Sequence, residues 1–511
     1  MSPSQMLAMQ SPATVRYMRT LSQITGRKEE YVDAQTVAEL IAKLESKYNN
    51  DFQSSKILIN GIPAGKEQQI TNGDIIALIP QDSATKVYVE TYGCSASMAD
   101  AEMTIGQLLN NGFKLTNNMA DSDVNVIVTC SVKSATANHM LSRIRKLSNT
   151  GLPLVVAGCM PKTEERAIEK INSNASMLGP NSIDKTVDVV KSTMFGKKLI
   201  VLNDSPRPKI NLPRFRMNPI VEVLEIANGC LSSCTFCQVK IAKGKLRSYP
   251  MDSIVEEAKN SINQGCKEIW LTSTDNGCYG KDMMTSLPEL IDAIVEIDGE
   301  FWIRVGMMNP VHMRRTAKAL TKSYSSTKVF KFLHIPVQSG SETILKAMKR
   351  GHSVEDFELL ANEFRNSHPD SSLSTDIIVG YPDESESDFE DTLSLIEKVQ
   401  PEVVNISKFG ARPGTAAAKL KQLPTTMVSK RTKEIVELVK AAGKKRNERW
   451  LNCEGVIIID EEGSKAGTWV GRNSAYRPVA IRSSEKLFGK KVNAKITGFT
   501  SSYLMGEIAG S

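Results

Sequence analysis

The feature that most constrains the fold is a repeated alternation of apolar strand-like runs and amphipathic helical patterns. Between positions 86 and 159, three apolar runs are separated by helical patterns at about 101–110 and 135–147. Six further strand-like runs follow the same rhythm, at 221–226, 268–272, 301–307, 331–337, 375–379 and 403–408. Such alternation is typical of parallel sheets covered by helices. We therefore predict a doubly wound parallel sheet at 85–195 and a partial β/α barrel at 216–450.

Two smaller regions flank the predicted sheet and barrel, so the predicted fold class is multidomain α/β. At 13–81, one amphipathic helical pattern (36–48) lies among short strand-like runs with turn signals at Asn60-Gly61 and Asn72-Gly73, which indicates a β-grasp domain. At 451–511, short strands separated by Gly and Ser turns predict a small β-barrel. The proline-rich, basic stretch at 196–218 is predicted to be a linker.

Bulk properties narrow the class of protein. No stretch approaches the ~18 apolar residues of a membrane span, and the N-terminus has no basic start followed by an apolar core. We expect a cytoplasmic protein with no membrane partner. The chain has nine cysteines, an odd number, and it is large and cytosolic in character. A cluster of its cysteines is therefore expected to bind metal rather than to form disulfides.

Three cysteines each follow one of the strand-like runs of the doubly wound sheet. They are Cys94, Cys130 and Cys159. In a parallel sheet the carboxyl ends of all strands point to one edge, where ligands bind. The sequence therefore predicts that the three thiols converge on a shared site. The alternative is that they are ordinary buried cysteines of apolar strands.

The strongest chemical signal is a CxxxCxxC triplet directly after the first barrel strand. Cys230, Cys234 and Cys237 can hold three irons of a [4Fe–4S] cluster and leave the fourth iron open to a ligand. Zinc is the rival metal. Structural zinc usually takes four nitrogen or sulfur ligands, and this triplet has no fourth Cys or His nearby in the sequence.

The triplet with its surroundings resembles the radical S-adenosylmethionine (SAM) superfamily, and residues 86–510 resemble its methylthiotransferases. The resemblance runs through Thr91-Tyr-Gly-Cys94, Thr129-Cys130, Gly158-Cys159, Glu225 to Cys230, Leu271 to Asp275, Tyr279-Gly280, Arg304 to Pro310, His334 to Ser341, Thr375 to Pro382, Arg412 to Thr415, and a C-terminal barrel similar to a TRAM domain. The segments at 271–275 and 304–310 look like the archaeal and eukaryotic branch. That branch modifies N6-threonylcarbamoyladenosine (t6A) at position 37 of tRNA.

The resemblance implies the cofactors and their division of labour. Cys94, Cys130 and Cys159 would hold a second [4Fe–4S] cluster that binds or supplies sulfur. One SAM would give a methyl group to that sulfur, and another would yield, at the first cluster, the 5′-deoxyadenosyl radical that abstracts hydrogen from C2 of the adenine. The implied partners are tRNA bearing t6A at position 37, a sulfur donor and an electron donor. The sequence identifies neither donor. No side-chain acid or base is predicted to be catalytic.

Candidate SAM contacts follow from barrel position. Ser273, Thr274 and Asp275 follow the second strand, where the superfamily binds the SAM amino group. Arg304 in the third strand could pair with the SAM carboxylate, and its alternative is an ion pair of the barrel wall. Gln338 follows the fourth strand and Asp376 lies at the fifth. Cys266, Cys278 and Cys453 lack ligand spacing and are predicted to be structural, and packing or capping roles are predicted for His334 and His352.

The C-terminal region is predicted to bind RNA. From Thr426 to Ser511 there are 16 Lys+Arg and 9 Asp+Glu, a net +7. Basic and aromatic residues are interleaved, as suits phosphate contacts and base stacking. The candidate contacts are Trp469, Arg472, Tyr476, Arg477, Arg482, Lys490, Lys491 and Lys495. The alternative for the two rings is a place in the core.

The N-terminal region lies outside the usual methylthiotransferase plan. Residues 13–81 resemble the ubiquitin-like sulfur carriers of the MoaD/ThiS type, which end in a Gly-Gly tail. Here the chain continues through Gln81-Asp82-Ser83 with no glycine pair, so it cannot carry sulfur in that way. Our hypothesis is a docking or regulatory role, and the alternative is a stabilising appendage. Unchanged sulfur insertion after deletion of residues 1–83 would favour the appendage.

The chain departs from the family pattern at four places. They are Ser97, Asp100-Ala-Glu102, Lys243-Gly244 and Asp383-Glu384-Ser385. None removes a cysteine of the two sets. Two other functions stay open: methylthiolation of a ribosomal-protein aspartate with the same machinery, and a non-catalytic iron–sulfur protein that binds RNA.

Overall fold

The computed structural model describes residues 12–17, 20–27, 29–60, 62–80, 85–205 and 208–509. Gly61 of the first predicted turn and residues 81–83, where the missing Gly-Gly tail was noted, lie outside the described residues. Among the described residues, no helix combines the length and the hydropathy that crossing a membrane would need.

The N-terminal region has the β-grasp architecture. Its elements are β1 (Ala13–Tyr17), α1 (Thr20–Thr25), β2 (Glu29–Val32), α2 (Val37–Tyr48), β3 (Ser55–Ile59), β4 (Ile62–Pro63) and β5 (Ile75–Pro80). The sheet has the order β2-β1-β5-β3-β4, with β1 and β5 parallel. Thr36 begins α2 because its hydroxyl accepts a hydrogen bond from the Glu39 amide at 3.2 Å. The apolar face of α2, with Leu40 and Ile41, is buried in the core of this region.

A parallel sheet of six strands follows. Its elements are β6 (Lys86–Thr91), α3 (Ser95–Asn110), β7 (Lys114–Leu115), β8 (Val124–Thr129), α4 (Ser134–Ser148), β9 (Leu154–Gly158), α5 (Met160–Thr163), α6 (Glu165–Ile171), β10 (Ser176–Leu178), α7 (Thr186–Met194) and β11 (Ile200–Val201). The strand order is β11-β10-β9-β8-β6-β7. The chain order reverses between β6 and β8, which is where sheets of this kind bind ligands.

The predicted linker at 196–218 is not an independent linker over most of its length. Ile200 and Val201 form β11, the edge strand beside β10. Lys209 is buried and forms an ion pair with Asp100 at 2.6 Å, and the Phe215 amide donates to the Glu102 carbonyl. The prediction rested on prolines and basic residues, which do not reveal a two-residue edge strand.

The barrel contains the six predicted strands. Its elements are β12 (Val221–Glu225), β13 (Ala227–Asn228), α8 (Val239–Lys243), β14 (Arg247–Ser248), α9 (Met251–Asn263), β15 (Glu268–Thr272), α10 (Leu287–Val295), β16 (Trp302–Val305), α11 (Pro310–Met313), α12 (Ala317–Ser323), β17 (Phe332–His334), α13 (Glu342–Ala347), α14 (Val354–Ser367), β18 (Ser372–Val379), α15 (Glu386–Val399) and β19 (Val403–Lys408). The parallel strands form two sets, β12-β15-β16 and β17-β18-β19. All six carboxyl ends therefore point the same way.

The chain ends in a long helix and a closed barrel. The elements are α16 (Thr425–Glu448), β20 (Glu454–Glu462), β21 (Thr468–Arg472), β22 (Pro478–Arg482), β23 (Lys491–Phe499) and β24 (Leu504–Ile508). The five strands close in the order β20-β21-β22-β24-β23. The small β-barrel predicted from the sequence is confirmed.

Contacts divide the chain into two compact units. The first consists of Met1–Tyr92, Asp100–Cys130 and Ala137–Phe215, and the second of Gly93–Ala99, Ser131–Thr136 and Arg216–Ser511. In the first unit, Phe195 packs with Leu58 and Ala77. The β-grasp region therefore shares a hydrophobic contact with the parallel sheet.

Glu402, directly before the last barrel strand, connects that strand through its carboxylate to α14 and the end of α16, and through its carbonyl to Arg477, within the second unit. The Glu402 side chain has no exposed surface, and its oxygens lie 3.0 Å from Arg365, 2.7 Å from Arg446 and 3.1 Å from Arg449. Although burial opposes it, the charge of Arg365 lowers the pKa of Glu402, and the other two guanidinium groups add to this. Arg477 also donates to the Glu402 carbonyl at 3.4 Å.

Candidate functional site

The cysteine triplet lies on a loop fixed to the carboxyl end of β12. The short strands β13 and β14 pair antiparallel at the start of this loop. Gly229 has φ +72°, and a Cβ atom there would lie 1.9 Å from the Lys245 carbonyl oxygen. Only glycine allows this close approach. The sequence Asn228-Gly229-Cys230 thus sets the position of the first thiol.

Polar donors surround the sulfur atoms of the triplet. The Ser232 amide donates to Cys230 Sγ at 3.3 Å, and Arg350 Nη1 donates to Cys234 Sγ at 3.3 Å. The Cys237 amide closes the turn by donating to the Cys234 carbonyl at 3.1 Å. All three thiols are partly buried. Donors directed at sulfur favour the thiolate form, which is the form that binds metal.

The triplet sulfurs sit in unequal electrostatic surroundings. A hydrogen bond with Cys278 lowers the pKa of Cys230, against the effect of burial. Burial raises the pKa of Cys237 to about 11. The pKa difference means that the thiols are not equivalent before a metal displaces their protons.

The structure adds two side chains that the sequence analysis did not assign to the site. Cys278 and His312 join Cys230 and Asp275 in a group whose ligand atoms all lie within 4.8 Å of one another. His312 Nε2 is 3.8 Å from Asp275 Oδ2 and 2.8 Å from Ser232 Oγ. Cys278 was predicted to be structural, yet it follows β15, the criterion that selected Ser273 to Asp275. Position after a barrel strand therefore also identifies Cys278 as a candidate site residue.

The residues present fit a [4Fe–4S] cluster better than a single zinc ion. A zinc ion in the Cys230–Asp275–Cys278–His312 group would use one thiol of the triplet and leave Cys234 and Cys237 without a role. These two thiols share the same loop, and Cys234 accepts a hydrogen bond from a buried guanidinium. Three thiolates on one loop are the ligand set of a cluster with one open iron.

The predicted SAM contacts lie at the carboxyl ends of the strands, in two groups. After β15, Ser273 Oγ donates to Asn276 Oδ1 at 2.9 Å, and Thr274 Oγ1 is buried without a hydrogen-bond partner among the described residues. Asp275 Oδ1 accepts from the Gly277 and Asn309 amides at 3.0 Å. Burial, and then the charge of Cys230, raise the pKa of Asp275 to about 6.

The second group brings Gln338 and Asp376 together. The Gln338 amide donates to the Asp376 carbonyl at 2.9 Å, and Gln338 has φ +81°, a backbone conformation that glutamine rarely adopts. The Asp376 carboxylate accepts from Asn405 at 2.8 Å and lies 3.3 Å from His334 Nε2. Although burial opposes it, the hydrogen bond with His334 lowers the pKa of Asp376.

Arg304, the predicted partner of the SAM carboxylate, contacts aromatic rings in this structure. Its guanidinium lies over the rings of Trp270, Phe332 and Tyr476, at 5.1, 5.6 and 5.2 Å from their centroids. Tyr476 also packs against Phe330, which precedes β17. The aromatic partners therefore hold the Arg304 guanidinium by cation–π contacts, and a role toward the SAM carboxylate stays a prediction.

Two cysteines of the second set lie side by side. The register of β8 and β9 pairs Thr129 with Gly158, and Cys130 and Cys159 each come next in the chain. Both are buried, and the Cys159 amide donates to the Thr129 carbonyl at 3.0 Å. Cys94 follows β6 by three residues, in a segment grouped with the second unit. The convergence of all three thiols stays a prediction.

The segments that follow β6 and β8 make contacts within the second unit. Ser95 Oγ lies 2.6 Å from Thr272 Oγ1, at the carboxyl end of β15. Arg412 Nη2 donates to the Ser131 carbonyl at 3.2 Å. The residues next to Cys94 and Cys130 in the chain are thus in contact with loops at the carboxyl ends of the barrel strands.

Four of the predicted RNA contacts are buried or partly buried and have partners within the protein. Trp469 is in the core of the C-terminal barrel, and Tyr476 packs against Arg304 and Phe330. Arg472 pairs with Asp460 at 3.0 Å, and Arg477 is 2% exposed. Strand alternation accounts for the buried Trp469, whereas Tyr476 and Arg477 lie in the turn between β21 and β22; RNA contact by these four residues stays a prediction. Arg482, Lys490, Lys491 and Lys495 are exposed as predicted.

A buried histidine beside the site predicts a pH dependence. Burial, and then the charge of Arg350, lower the pKa of His352 from 6.5 to about 4. The His352 side chain therefore binds a proton more tightly in the unfolded chain than in the folded one. The free energy of unfolding should rise with pH between about 4 and 6.5, and it should be lower by up to about 3 kcal/mol at the acid end of this range. Thermal unfolding of the wild type and of His352→Gln across this range checks the prediction. Parallel pH profiles would contradict it.

Comparisons with known proteins define the class first. The chain matches the Radical SAM superfamily over residues 224–396, the uncharacterized protein family UPF0004 over 86–179, the TRAM domain over 456–509 and the ThiS family over 15–81. A solved radical SAM methyltransferase, TsrM from Kitasatospora setae with cobalamin and a [4Fe–4S] cluster bound, shares the fold with a TM-score of 0.50 at 13% identity. That similarity covers 66% of this chain and 77% of TsrM. The protein is a radical SAM transferase with a fused ThiS-like domain.

The relatives define the particular family. A probable threonylcarbamoyladenosine tRNA methylthiotransferase of Pyrococcus horikoshii is 39% identical over 426 residues, covering 83% of this chain and 99% of the relative. The human threonylcarbamoyladenosine tRNA methylthiotransferase is 34% identical over 440 residues, covering 84% of this chain and 75% of the relative. The chain belongs to the threonylcarbamoyladenosine tRNA methylthiotransferase family.

Proposed function

We propose that this protein inserts a methylthio group at C2 of N6-threonylcarbamoyladenosine at position 37 of tRNA. The observation that carries the proposal is the triplet Cys230, Cys234 and Cys237 on a fixed loop at the carboxyl end of the barrel, with hydrogen-bond donors directed at its sulfurs. The names of the relatives supply the substrate.

The proposed ligands of the catalytic [4Fe–4S] cluster are Cys230, Cys234 and Cys237. The electron that cleaves SAM would come from this cluster when it is bound. Ser273, Thr274 and Asp275 after β15, with Gln338 and Asp376 at β17 and β18, would orient SAM. The buried Thr274 hydroxyl is a suitable donor, because burial without a partner is costly unless a ligand supplies one.

Cys94, Cys130 and Cys159 would hold a second [4Fe–4S] cluster that binds or supplies the inserted sulfur. Support comes from the register that places Cys130 beside Cys159. Further support is the contact between Ser95, the residue after Cys94, and Thr272, the residue before the segment proposed to bind SAM. SAM would act both as methyl donor and as radical source, and separate proteins would supply the sulfur and the electrons.

The tRNA would bind partly through the exposed basic side chains of the C-terminal barrel. We expect Arg482→Ala and Lys495→Ala each to reduce the slope of log K against log salt concentration by about 0.7–0.9 for each phosphate that the side chain neutralises. Filter binding of tRNA across a salt series measures this. Lys56→Ala, an exposed change on the β-grasp region, is the control. Unchanged slopes for both barrel variants would exclude these side chains as phosphate contacts.

The substrate can be tested with SAM that carries a labelled methyl group. Reconstituted protein, a reductant and a sulfide source would be given either tRNA that contains t6A or a ribosomal-protein preparation. Label in the tRNA supports the proposal, whereas label confined to the protein fraction indicates the aspartate-modifying alternative. If neither fraction gains label and SAM is not cleaved, the protein is a non-catalytic iron–sulfur RNA-binding protein. Cys94→Ala should retain SAM cleavage and lose the label in tRNA.

A further inference from the structure

Arg350 occupies an unusual position for a charged side chain. It lies beyond α13, between Lys349 and Gly351, which both have positive φ angles, +55° and +74°. These two residues turn the chain so that Arg350 points inward, where it is 5% exposed, while Lys349 remains exposed. The Arg350 amide donates to the Leu345 carbonyl at 3.0 Å, which holds the turn in place.

The guanidinium of Arg350 is fixed by two hydrogen bonds, and one of them reaches the cysteine triplet. Nη2 donates to the Pro336 carbonyl at 2.8 Å, and Nη1 donates to Cys234 Sγ at 3.3 Å. Nε has no hydrogen-bond partner among the described residues. The side chain therefore has one orientation, and that orientation directs a charged donor at a sulfur atom.

No carboxylate forms an ion pair or a hydrogen bond with Arg350 in the described part of the chain. Asp275 is near enough to interact with the Arg350 charge, but its carboxylate is held by the Gly277 and Asn309 amides and lies at Cys230. The neighbouring His352 offers no negative charge. A buried charge without a counter-charge is strongly destabilising. Negative charge on the cysteine triplet, which Arg350 Nη1 contacts directly, would compensate the Arg350 charge.

We propose that Arg350 is the counter-charge of the cluster held by Cys230, Cys234 and Cys237, and that it raises the reduction potential of that cluster. The inference rests on the proposed function only in requiring that this cluster forms. Reduction adds one negative charge to the cluster and its thiolates. A fixed cation and an N–H···S hydrogen bond therefore stabilise the reduced form more than the oxidised form. Arg350 is a positioning residue in this role and does not touch substrate.

Redox titration followed by electron paramagnetic resonance tests the inference without relying on activity. The reduced signal that changes when SAM is added identifies the relevant cluster in the full-length, reconstituted protein. Arg350→Met removes both charge and donor, Arg350→Gln keeps a donor without charge, and Arg350→Lys keeps the charge. We expect the first two to make one-electron reduction at least tenfold less favourable, a shift of about 59 mV to lower potential. Arg350→Lys should restore most of the potential.

The matched control is Lys349→Met, which removes one positive charge at the adjacent but exposed position, where water screens it. Its potential should equal that of the wild type. If Arg350→Met does not retain iron, the reduction potentials of Arg350→Gln and Arg350→Lys are compared instead. Potentials equal to the wild type in Arg350→Gln would overturn the charge assignment, and so would an equal shift in Lys349→Met. Failure of the wild type to form a SAM-responsive cluster would instead refute the proposed function.

Discussion

Cys230→Ala is expected to abolish reductive cleavage of SAM and, with it, all methylthiolation of tRNA. The triplet has no spare thiol on its loop, so loss of one ligand leaves the cluster with two. Cys278 lies close to Cys230, and the hydrogen bond with Cys230 that raises its pKa is lost in the variant. Burial and the charge of Asp275 still raise the pKa of Cys278 there, so it is a poor replacement thiolate. Formation of 5′-deoxyadenosine, measured by liquid chromatography after anaerobic reconstitution, should fall below detection.

Cys453→Ala is the control for this variant. Cys453 is exposed, and its thiol donates to the Arg449 carbonyl at 3.4 Å. Its removal should leave SAM cleavage unchanged. Wild-type cleavage in Cys230→Ala would show that the triplet does not hold the catalytic cluster. Cleavage that disappears in Cys230→Ala and returns in the double variant Cys230→Ala/Cys278→Ala would also contradict the assignment.

Glu402→Gln is expected to produce the largest loss of stability among single changes outside the site. It keeps the shape of the side chain and removes the negative charge shared by Arg365, Arg446 and Arg449. Because breaking a buried ion cluster leaves uncompensated charge, we expect the free energy of unfolding of the second unit to fall by about 3 kcal/mol. Urea unfolding monitored by tryptophan fluorescence measures this change.

The pH dependence of this effect gives an independent check. The folded pKa of Glu402 is lowered from its ordinary value of 4.5, so its contribution is complete above that pH and disappears as the pH falls through the folded pKa. The wild type and Glu402→Gln should therefore converge in stability in acid. Glu437→Gln is the control, because Glu437 is exposed on α16 and pairs with Lys440 at the surface. A loss as large in Glu437→Gln would contradict the account.

Most of the strands and helices could be predicted from the sequence, because apolar residues recur with a different period in strands and in helices. All six barrel strands and the helices between them follow apolar runs that end in turn or capping residues. The short elements were missed. β11 has two residues, and its apolar pair Ile200–Val201 is too brief for any periodicity. β2 contains Glu29, Glu30 and the exposed Tyr31, so it has little apolar signal.

The site residues that are close in the sequence could be predicted from their spacing. The site residues that only the fold brings together could not. The triplet spacing identified Cys230, Cys234 and Cys237. Arg350 lies 116 residues from Cys234 in the chain, and only the turn after α13 brings it to that sulfur. Composition alone cannot tell an arginine that stacks on aromatic rings, as Arg304 does, from one that reaches a ligand.

Mass spectrometry of nucleosides tests the proposed reaction on tRNA that contains t6A, after incubation with the reconstituted protein, SAM and a reductant. We predict a new nucleoside whose mass exceeds that of t6A by a methylthio group replacing hydrogen, with fragments that place the addition on the adenine base. Cys230→Ala should give none of it. Intact t6A with no new nucleoside, under conditions in which 5′-deoxyadenosine forms, would contradict the proposed substrate.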